Sequence, residues 1–221
     1  MSQIQSFGAG VNSAGLDLIL PDSVERVFAD PGAEQPETYD YIKKYYPSLT
    51  VLNDPVEGCK DIIEWCHKLG HGPFRMQRSC TDKFKKRRIE RYVKKPVVIY
   101  LGIASDEAHR ATITHKAGIE YRYPLVEQGI TREGCKKLIR DAGLPIPPKS
   151  GCYICPFQPK ASWWRLGRMH ADLFWKAVEI DELSKKIGLW RDPGDLRHLW
   201  PPQMVFEEDE GWECGLGCLL R

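Results

Sequence analysis

The chain has 221 residues, a formal net charge of +2, 42% hydrophobic residues and 28% charged residues. That length suits one α/β domain with an appended tail, the apolar fraction can build a core, and the charge is too near neutral to point to nucleic acid by itself. No apolar run approaches the roughly 20 residues of a bilayer span, and the N-terminal residues lack a signal-peptide pattern, so a soluble cytoplasmic protein without membrane contact is expected. Eight cysteines, at 59, 66, 80, 135, 152, 155, 214 and 218, are many for a compartment where disulfides are rare. Some of them are therefore expected to be metal ligands or reactive thiols.

The first segment runs from a short apolar start at Ile4 through Ser6-Phe7-Gly8-Ala9-Gly10-Val11-Asn12-Ser13 into an apolar stretch, Ala14 to Leu20. A strand, a glycine turn and a helix start leave backbone N–H groups pointing at one spot, where they can bind phosphate or sulfate. Gly8 and Gly10 allow close approach, and Ser6 and Ser13 add hydroxyls. A plain glycine turn ahead of a helix produces the same pattern. Val24–Ala29 reads as a second strand, broken by Asp30-Pro31-Gly32-Ala33-Glu34, and Pro36 opens a helix that Pro47 stops. Strand ends carrying turns and acids side by side are where open α/β sheets bind ligands.

Ser48–Leu52 is read as a third strand, and Asp54-Pro55 as the opening of an amphipathic helix through Leu69 that buries Cys59 and Cys66 as inert thiols. After an irregular stretch from Gly70 to Ser79, Cys80–Val93 reads as a basic helix. Its charges form a solvated face, or, with Lys83 and Lys85 beside Cys80, an electropositive site. Pro96–Ile103 is the best strand, apolar enough to be central. Gly102, Glu107 and Arg110 follow it. A guanidinium can pair with phosphate or sulfate, so Arg110 is a candidate substrate clamp, with a salt bridge to Glu107 at helical spacing as the alternative. Tyr121–Leu125 is read as a short strand, and Thr131–Arg140 as a helix capped by Gly143 and holding Cys135 in the core.

Leu144–Gly151 is too rich in proline for regular structure and delivers Cys152-Tyr153-Ile154-Cys155-Pro156. A C-x-x-C between glycine and proline is a rigid knuckle that suits zinc, an iron–sulfur cluster or a redox dithiol. Cys80 is the natural third ligand, and Cys214 or Cys218 could complete the set. Lys160–Gly188 reads as two helical pieces, and its aromatic residues, Trp163 and Trp164 among them, read as core. An irregular arm with the acidic run Glu207–Glu210 ends in Glu213-Cys214-Gly215-Leu216-Gly217-Cys218.

The Ser6–Ser13 loop, the D-x-G-x-E of Asp30, Gly32 and Glu34, the G-I-x-x-x-E…R of Gly102, Ile103, Glu107 and Arg110, the Y-P-L at Tyr123–Leu125, the C-x-x-C-P and the E-C-G-L tail resemble the PP-loop adenine nucleotide α-hydrolase superfamily. They stand in the order found in its phosphoadenosine phosphosulfate (PAPS) reductase-like branch. That loop usually reads S-G-G-x-D-S. Here Ala9 stands where glycine is usual, Asn12 where aspartate is usual, and Val11 where ATP-using members often carry lysine.

The resemblance implies an open, mostly parallel twisted sheet with helices on both faces. Residues 1–150 would form the nucleotide-binding α/β domain and 151–221 the knuckle, helical region and cysteine tail. It implies an adenine nucleotide, PAPS, adenylyl sulfate or ATP, on Ser6, Phe7, Gly8, Gly10, Asn12, Ser13, Asp30, Gly32, Glu34, Gly102 and Glu107. It also implies catalysis by Cys214 with Arg110 and Lys83, and a 4Fe–4S cluster, or zinc, on Cys80, Cys152, Cys155 and Cys218. The activity implied is reduction of a sulfonucleotide, with thioredoxin or glutaredoxin freeing sulfite. One alternative is an ATP-dependent, magnesium-using sulfurtransferase that thiolates a nucleobase in tRNA or DNA, with the Lys83–Lys95 helix on the phosphates and Asp30 or Glu34 on magnesium. The other is a non-catalytic nucleotide- and metal-binding module.

Overall fold

A computed structural model describes residues 1–111 and 116–200. Its centre is a sheet of five strands: β1 (Ser2–Ser6), β2 (Glu25–Ala29), β3 (Thr50–Leu52), β4 (Val97–Leu101) and β5 (Ile119–Arg122). Their spatial order is β3-β2-β1-β4-β5, and every pairing is parallel. A parallel neighbour must be reached by a crossover, so helices cover both faces. This is the mostly parallel α/β architecture expected.

The chain leaves β1 towards β2 on one side and later leaves β4 towards β5 on the other. The direction of winding therefore reverses between β1 and β4, and a crevice opens beyond their carboxyl ends. Ser6 pairs with Leu101, so the two strand ends are level and the turns that follow them lie side by side.

On one face Ile4, Val27, Ala29, Val97, Ile99, Leu101 and Ile119 pack with Ile89 of α5 (Arg87–Tyr92). On the other, Val11, Ala14 and Leu16 of α1 (Val11–Asp17) meet Cys135 and Ile139 of α7 (Arg132–Asp141). Gly15 lets these helices touch, since a Cβ there would sit 2.6 Å from that of Cys135. Phe7, Ala9, Phe28 and Ile42 of α2 (Pro36–Tyr45) complete that side. A further apolar core gathers Trp65 and Cys66 of α3 (Ile62–Leu69), Phe84, Tyr153, Ile154, Trp163 and Leu166 of α8 (Lys160–Met169), and Phe174, Ala177, Val178 and Ile180 of α9 (Ala171–Leu183). Each large side chain fully buried there contributes about 1.5–3 kcal/mol. Trp163 is core, as its helical spacing suggested, whereas Trp164 is only half-buried, with Lys160 Nζ 4.3 Å from its ring centre. In the last turn of α9, buried Asp181 accepts backbone N–H groups from Leu189, Gly194 (2.9 Å) and Leu196 (3.3 Å), which shapes the chain from 184 to 199 around one carboxylate.

Several boundaries differ from the sequence reading. The helix expected from Asp54-Pro55 starts at Ile62, because Asp61 caps it by accepting the Glu64 N–H at 2.8 Å, while Val56 and Cys59 close a tight turn before it. The basic helix is interrupted. It consists of α4 (Ser79–Thr81), a π-helical turn over Asp82–Lys86, and α5. The last strand ends at Arg122, because Pro124 starts the short helix α6 (Pro124–Glu127). The second helical piece after Lys160 stops at Leu183 rather than Gly188. Among the described residues, no helix is long and apolar enough to cross a membrane.

Candidate functional site

Beyond β1, the loop folds back on itself. The Gly8 N–H donates to the Ser13 hydroxyl at 2.9 Å, and buried Gln5 donates from its amide to the Ser13 carbonyl at 2.7 Å. Ala9 takes a left-handed backbone (φ 54°), a conformation that favours glycine and costs about 1 kcal/mol for alanine. Phe7 sends its ring into the core against Tyr46, with centroids 4.4 Å apart, so only its backbone faces the loop. Gly102, at the end of β4, lies against the first turn of α1. A Cβ there would come within 3.0 Å of the Asn12 carbonyl oxygen and the Ser13 nitrogen, so glycine is what lets the two turns meet.

Polar side chains gather at this junction. Asn12 donates from its amide to Glu107 Oε2 at 3.0 Å and accepts from Arg132 Nη1 at 3.3 Å. Glu107 also holds Arg110 Nη1 at 2.8 Å, which is the ion pair read as the alternative to a clamp. Arg110 Nε is buried with no hydrogen-bond partner among the described residues. The Ser105 N–H donates to the Ile130 carbonyl at 2.8 Å, and the Arg132 N–H donates to Asp106 at 3.2 Å, which brings the start of α7 to the crevice rim.

The Asp30–Glu34 turn forms the adjoining wall. Asp30 Oδ1 accepts from the Gly32 N–H and from the Tyr39 hydroxyl, both at 2.8 Å. Burial first, then the Asp30 charge, pushes the Tyr39 hydroxyl well above the ordinary tyrosine range, so it stays a proton donor. Gly32 has φ 77°, and a Cβ there would meet Asp61 at 2.5 Å. Glu34 is buried, with one oxygen on Lys85 Nζ at 2.8 Å and the other, Oε2, with no hydrogen-bond partner among the described residues. Arg88, fully buried, donates to the carbonyls of Asp30 and Asp54 and so ties the ends of β2 and β3.

The cysteine knuckle packs directly on these turns. The Tyr153 N–H donates to the Ala33 carbonyl at 2.8 Å, the Gln35 N–H donates to the Gly151 carbonyl at 3.2 Å, and Glu34 and Cys152 form an antiparallel bridge. A Cβ on Gly10 would lie 2.9 Å from Ser150 Oγ, so the glycine loop and the residues just before Cys152 are in contact. Cys155 turns back to donate its N–H to the Cys152 carbonyl at 3.0 Å. From the other side Arg75 Nε donates to the Pro156 carbonyl at 2.7 Å, and the Arg78 guanidinium lies 4.7 Å from the Phe157 ring centre. These contacts bring the chain before Cys80 to the chain after Cys155, and Cys80 and Cys152 both pack against the knuckle core. Burial, then the neighbouring Cys80, pushes the Cys66 thiol up to about 12, in keeping with an inert buried residue. Among the described residues, no three Cys, His, Asp or Glu side chains converge as a metal-binding group. Cys214, Cys218 and the acidic run lie outside the described residues.

Lys83 pairs with Glu57 and lies 5.5 Å from the Trp65 ring centre. Lys85, Arg87, Arg88 and Arg91 have acidic partners in Glu34, Asp82, Asp54 and Asp54. The structure thus gathers Ser13, Gly8, Gly10, Asn12, Gly102, Glu107 and Arg110 at the crevice, with Asp30, Gly32 and Glu34 as its adjoining wall. Ser6 ends β1 beneath them. Arg132, Ser150, Tyr39 and Arg75 were not singled out in the sequence. Their only signal there was adjacency to a cap or a motif: Arg132 follows the helix-capping Thr131, and Ser150 precedes Gly-Cys.

No family model matches the sequence. The chain is 25% identical over 225 aligned positions to an uncharacterized protein of Methanocaldococcus jannaschii; the match covers 90% of this chain and 52% of the relative, so the chain spans about half the relative's length. Among solved structures it is similar to the PAPS reductase of Candida auris in its phosphate complex, with TM-score 0.51 and 18% identity, covering 69% of this chain and 81% of that one. With its parallel sheet and its switch point, the chain has a PAPS-reductase-like α/β fold.

Proposed function

We propose that the protein binds an adenine nucleotide in the crevice between β1 and β4 and acts as a PAPS-reductase-like oxidoreductase. The observation that carries this reading is the level register of Ser6 with Leu101. It sets the glycine loop against Gly102, with Glu107 and Arg110 at the rim, while Ser150 brings the cysteine knuckle onto Gly10. The phosphosulfate lies on the loop and Arg110. The Cys214 thiolate attacks the sulfate sulfur: an S–S bond forms, the bond from sulfur to the bridging oxygen breaks, and the adenosine phosphate leaves with that oxygen and its electron pair. A thioredoxin or glutaredoxin dithiol then reduces the thiosulfonate, becomes a disulfide, and releases sulfite. Cys80, Cys152 and Cys155 offer thiols to a 4Fe–4S cluster or to zinc. These three form no metal-binding group among the described residues, so such a centre would take Cys218 as a further ligand and leave Cys214 as the free nucleophile, and the reaction as written does not pass through it.

Three of the acids at the carboxyl edge are engaged by the chain's own donors: Asp30 by Gly32 and Tyr39, Glu34 by Lys85, and Glu107 by Asn12 and Arg110. The basic helix likewise spends most of its cations on acids. Both observations support reduction over ATP- and magnesium-dependent thiolation of tRNA or DNA.

The deciding assay is sulfite release from PAPS or adenylyl sulfate with reduced thioredoxin, by anaerobically purified protein whose iron, zinc and sulfide contents have been measured. Release that is abolished in Cys214→Ser is the expected result. Pyrophosphate release from ATP only in the presence of tRNA or DNA overturns it in favour of thiolation. Tight nucleotide binding with neither product overturns it in favour of a binding module.

A further inference from the structure

We propose that Arg132 is an anion-binding residue, the second arm of a two-guanidinium clamp with Arg110. This rests on the nucleotide reading above and specifies the group held at the rim, a tetrahedral oxyanion, whether phosphate or sulfate.

The side chains Arg132, Asn12, Glu107 and Arg110 form one continuous row across the gap between α1, the turn after β4 and the start of α7. The row has a cation at each end, one carboxylate inside it and a neutral amide as the joint, which leaves one net positive charge. Asn12 can bridge only because it is an amide. Its oxygen faces Arg132 and its NH2 faces Glu107, whereas a carboxylate at position 12 would neutralise the second guanidinium and oppose Glu107 at hydrogen-bond distance.

Neither guanidinium is saturated by the row. Arg132 reaches Asn12 at 3.3 Å through one nitrogen, and Arg110 Nε is buried with no hydrogen-bond partner among the described residues. A guanidinium carries five N–H donors in a planar fork that matches two oxygens of a phosphate or sulfate. The position of Arg132 is fixed by its backbone. Thr131 caps α7 by accepting the Gly134 N–H at 3.1 Å, the Arg132 N–H is held by Asp106, and the preceding Ile130 carbonyl is held by Ser105. The side chain is thus delivered to the crevice by two contacts with the turn after β4 that do not depend on the ligand.

The test uses calorimetry on the full chain with adenosine, AMP, inorganic phosphate and inorganic sulfate, for the wild type, Arg132→Gln and Arg132→Lys. Loss of a charge-assisted pair is expected to weaken AMP about tenfold or more in Arg132→Gln, with adenosine affinity unchanged, and Arg132→Lys should retain part of the loss because a lysine keeps the charge without the fork. Phosphate and sulfate should each compete with AMP in the wild type and compete less in Arg132→Gln, and the stronger competitor identifies which oxyanion the clamp prefers. AMP affinity unchanged in both variants overturns the clamp while leaving the nucleotide reading standing. Equal loss of adenosine and AMP also overturns it, because that marks a structural role. A wild type that binds neither adenosine nor AMP overturns the clamp and the nucleotide reading together.

Discussion

The crevice at the sheet edge and the cysteine knuckle are neighbours built on opposite terms. The crevice is assembled by strand register. Its backbone turns are held level by β1 and β4, and its charged side chains satisfy one another in a row that ends on underused guanidiniums. The knuckle is assembled by burial. Tyr153 and Ile154, between its two sulfurs, sink into an apolar core, and its backbone is tied to Ala33, Gln35 and Arg75. The difference separates two kinds of preparation. A polar site needs its geometry fixed before the ligand arrives, since unsatisfied buried charge is costly, whereas a thiol site can be carried by packing that is indifferent to its occupant.

The largest disturbance is expected from Arg88→Met, which removes the buried tie between β2 and β3 and leaves the Asp30 and Asp54 carbonyls without their donor. A loss of about 3 kcal/mol in urea unfolding is expected, and nucleotide binding should weaken with it. Gly102→Ala strikes the crevice alone. The added methyl meets backbone that cannot swing aside, so about 1–3 kcal/mol of stability and most nucleotide affinity should go, while metal content, if the knuckle binds metal, stays unchanged. Loss of both would erase the distinction between the two regions.

Gly10→Ala probes the seam. Its Cβ would press on Ser150 Oγ, the tip of a small side chain, so a cost of about 1 kcal/mol is expected and Ser150→Gly should relieve it. Additive effects in the double variant would show that the seam transmits nothing.

The smallest effect concerns pH. Burial raises the Glu37 carboxyl, but its own backbone N–H, then His170 at 3.2 Å and Arg165, outweigh burial and hold it below the ordinary glutamate value. A lowered acid stabilises the fold above its unfolded value, and that contribution disappears as the pH falls through the lowered one. Glu37→Gln should therefore flatten the acid limb of the stability curve while costing less than about 1 kcal/mol at neutral pH, as measured by denaturation across the range.

Sheet and loop were legible because their signals are local. Alternating or continuous apolar runs mark strands, and glycines with a following helix mark the turn. The same locality explains the errors at residues 54–61, 82–86 and 123–127. There a cap, a π-turn and a proline start decided the boundary, and hydrophobic periodicity does not register them. Arg110 was legible as a cation after a strand, but Arg132 was not, because nothing in Thr131-Arg132-Glu133 says which strand end the helix will start against.

Composition, strand pattern and motif order alone determined an α/β protein with a glycine loop, an acid-bearing second turn and a C-x-x-C, since each of these is written within a dozen contiguous residues. Only the tertiary structure decided that Ser150 sits on Gly10, that Asn12 joins Glu107 to Arg132, and that the basic helix spends its charge on buried Glu34 and on exposed Glu57 and Asp54. Those pairings span up to about 140 residues, and such separations are closed by the register of parallel strands and the burial of a shared core rather than by any local preference of the chain.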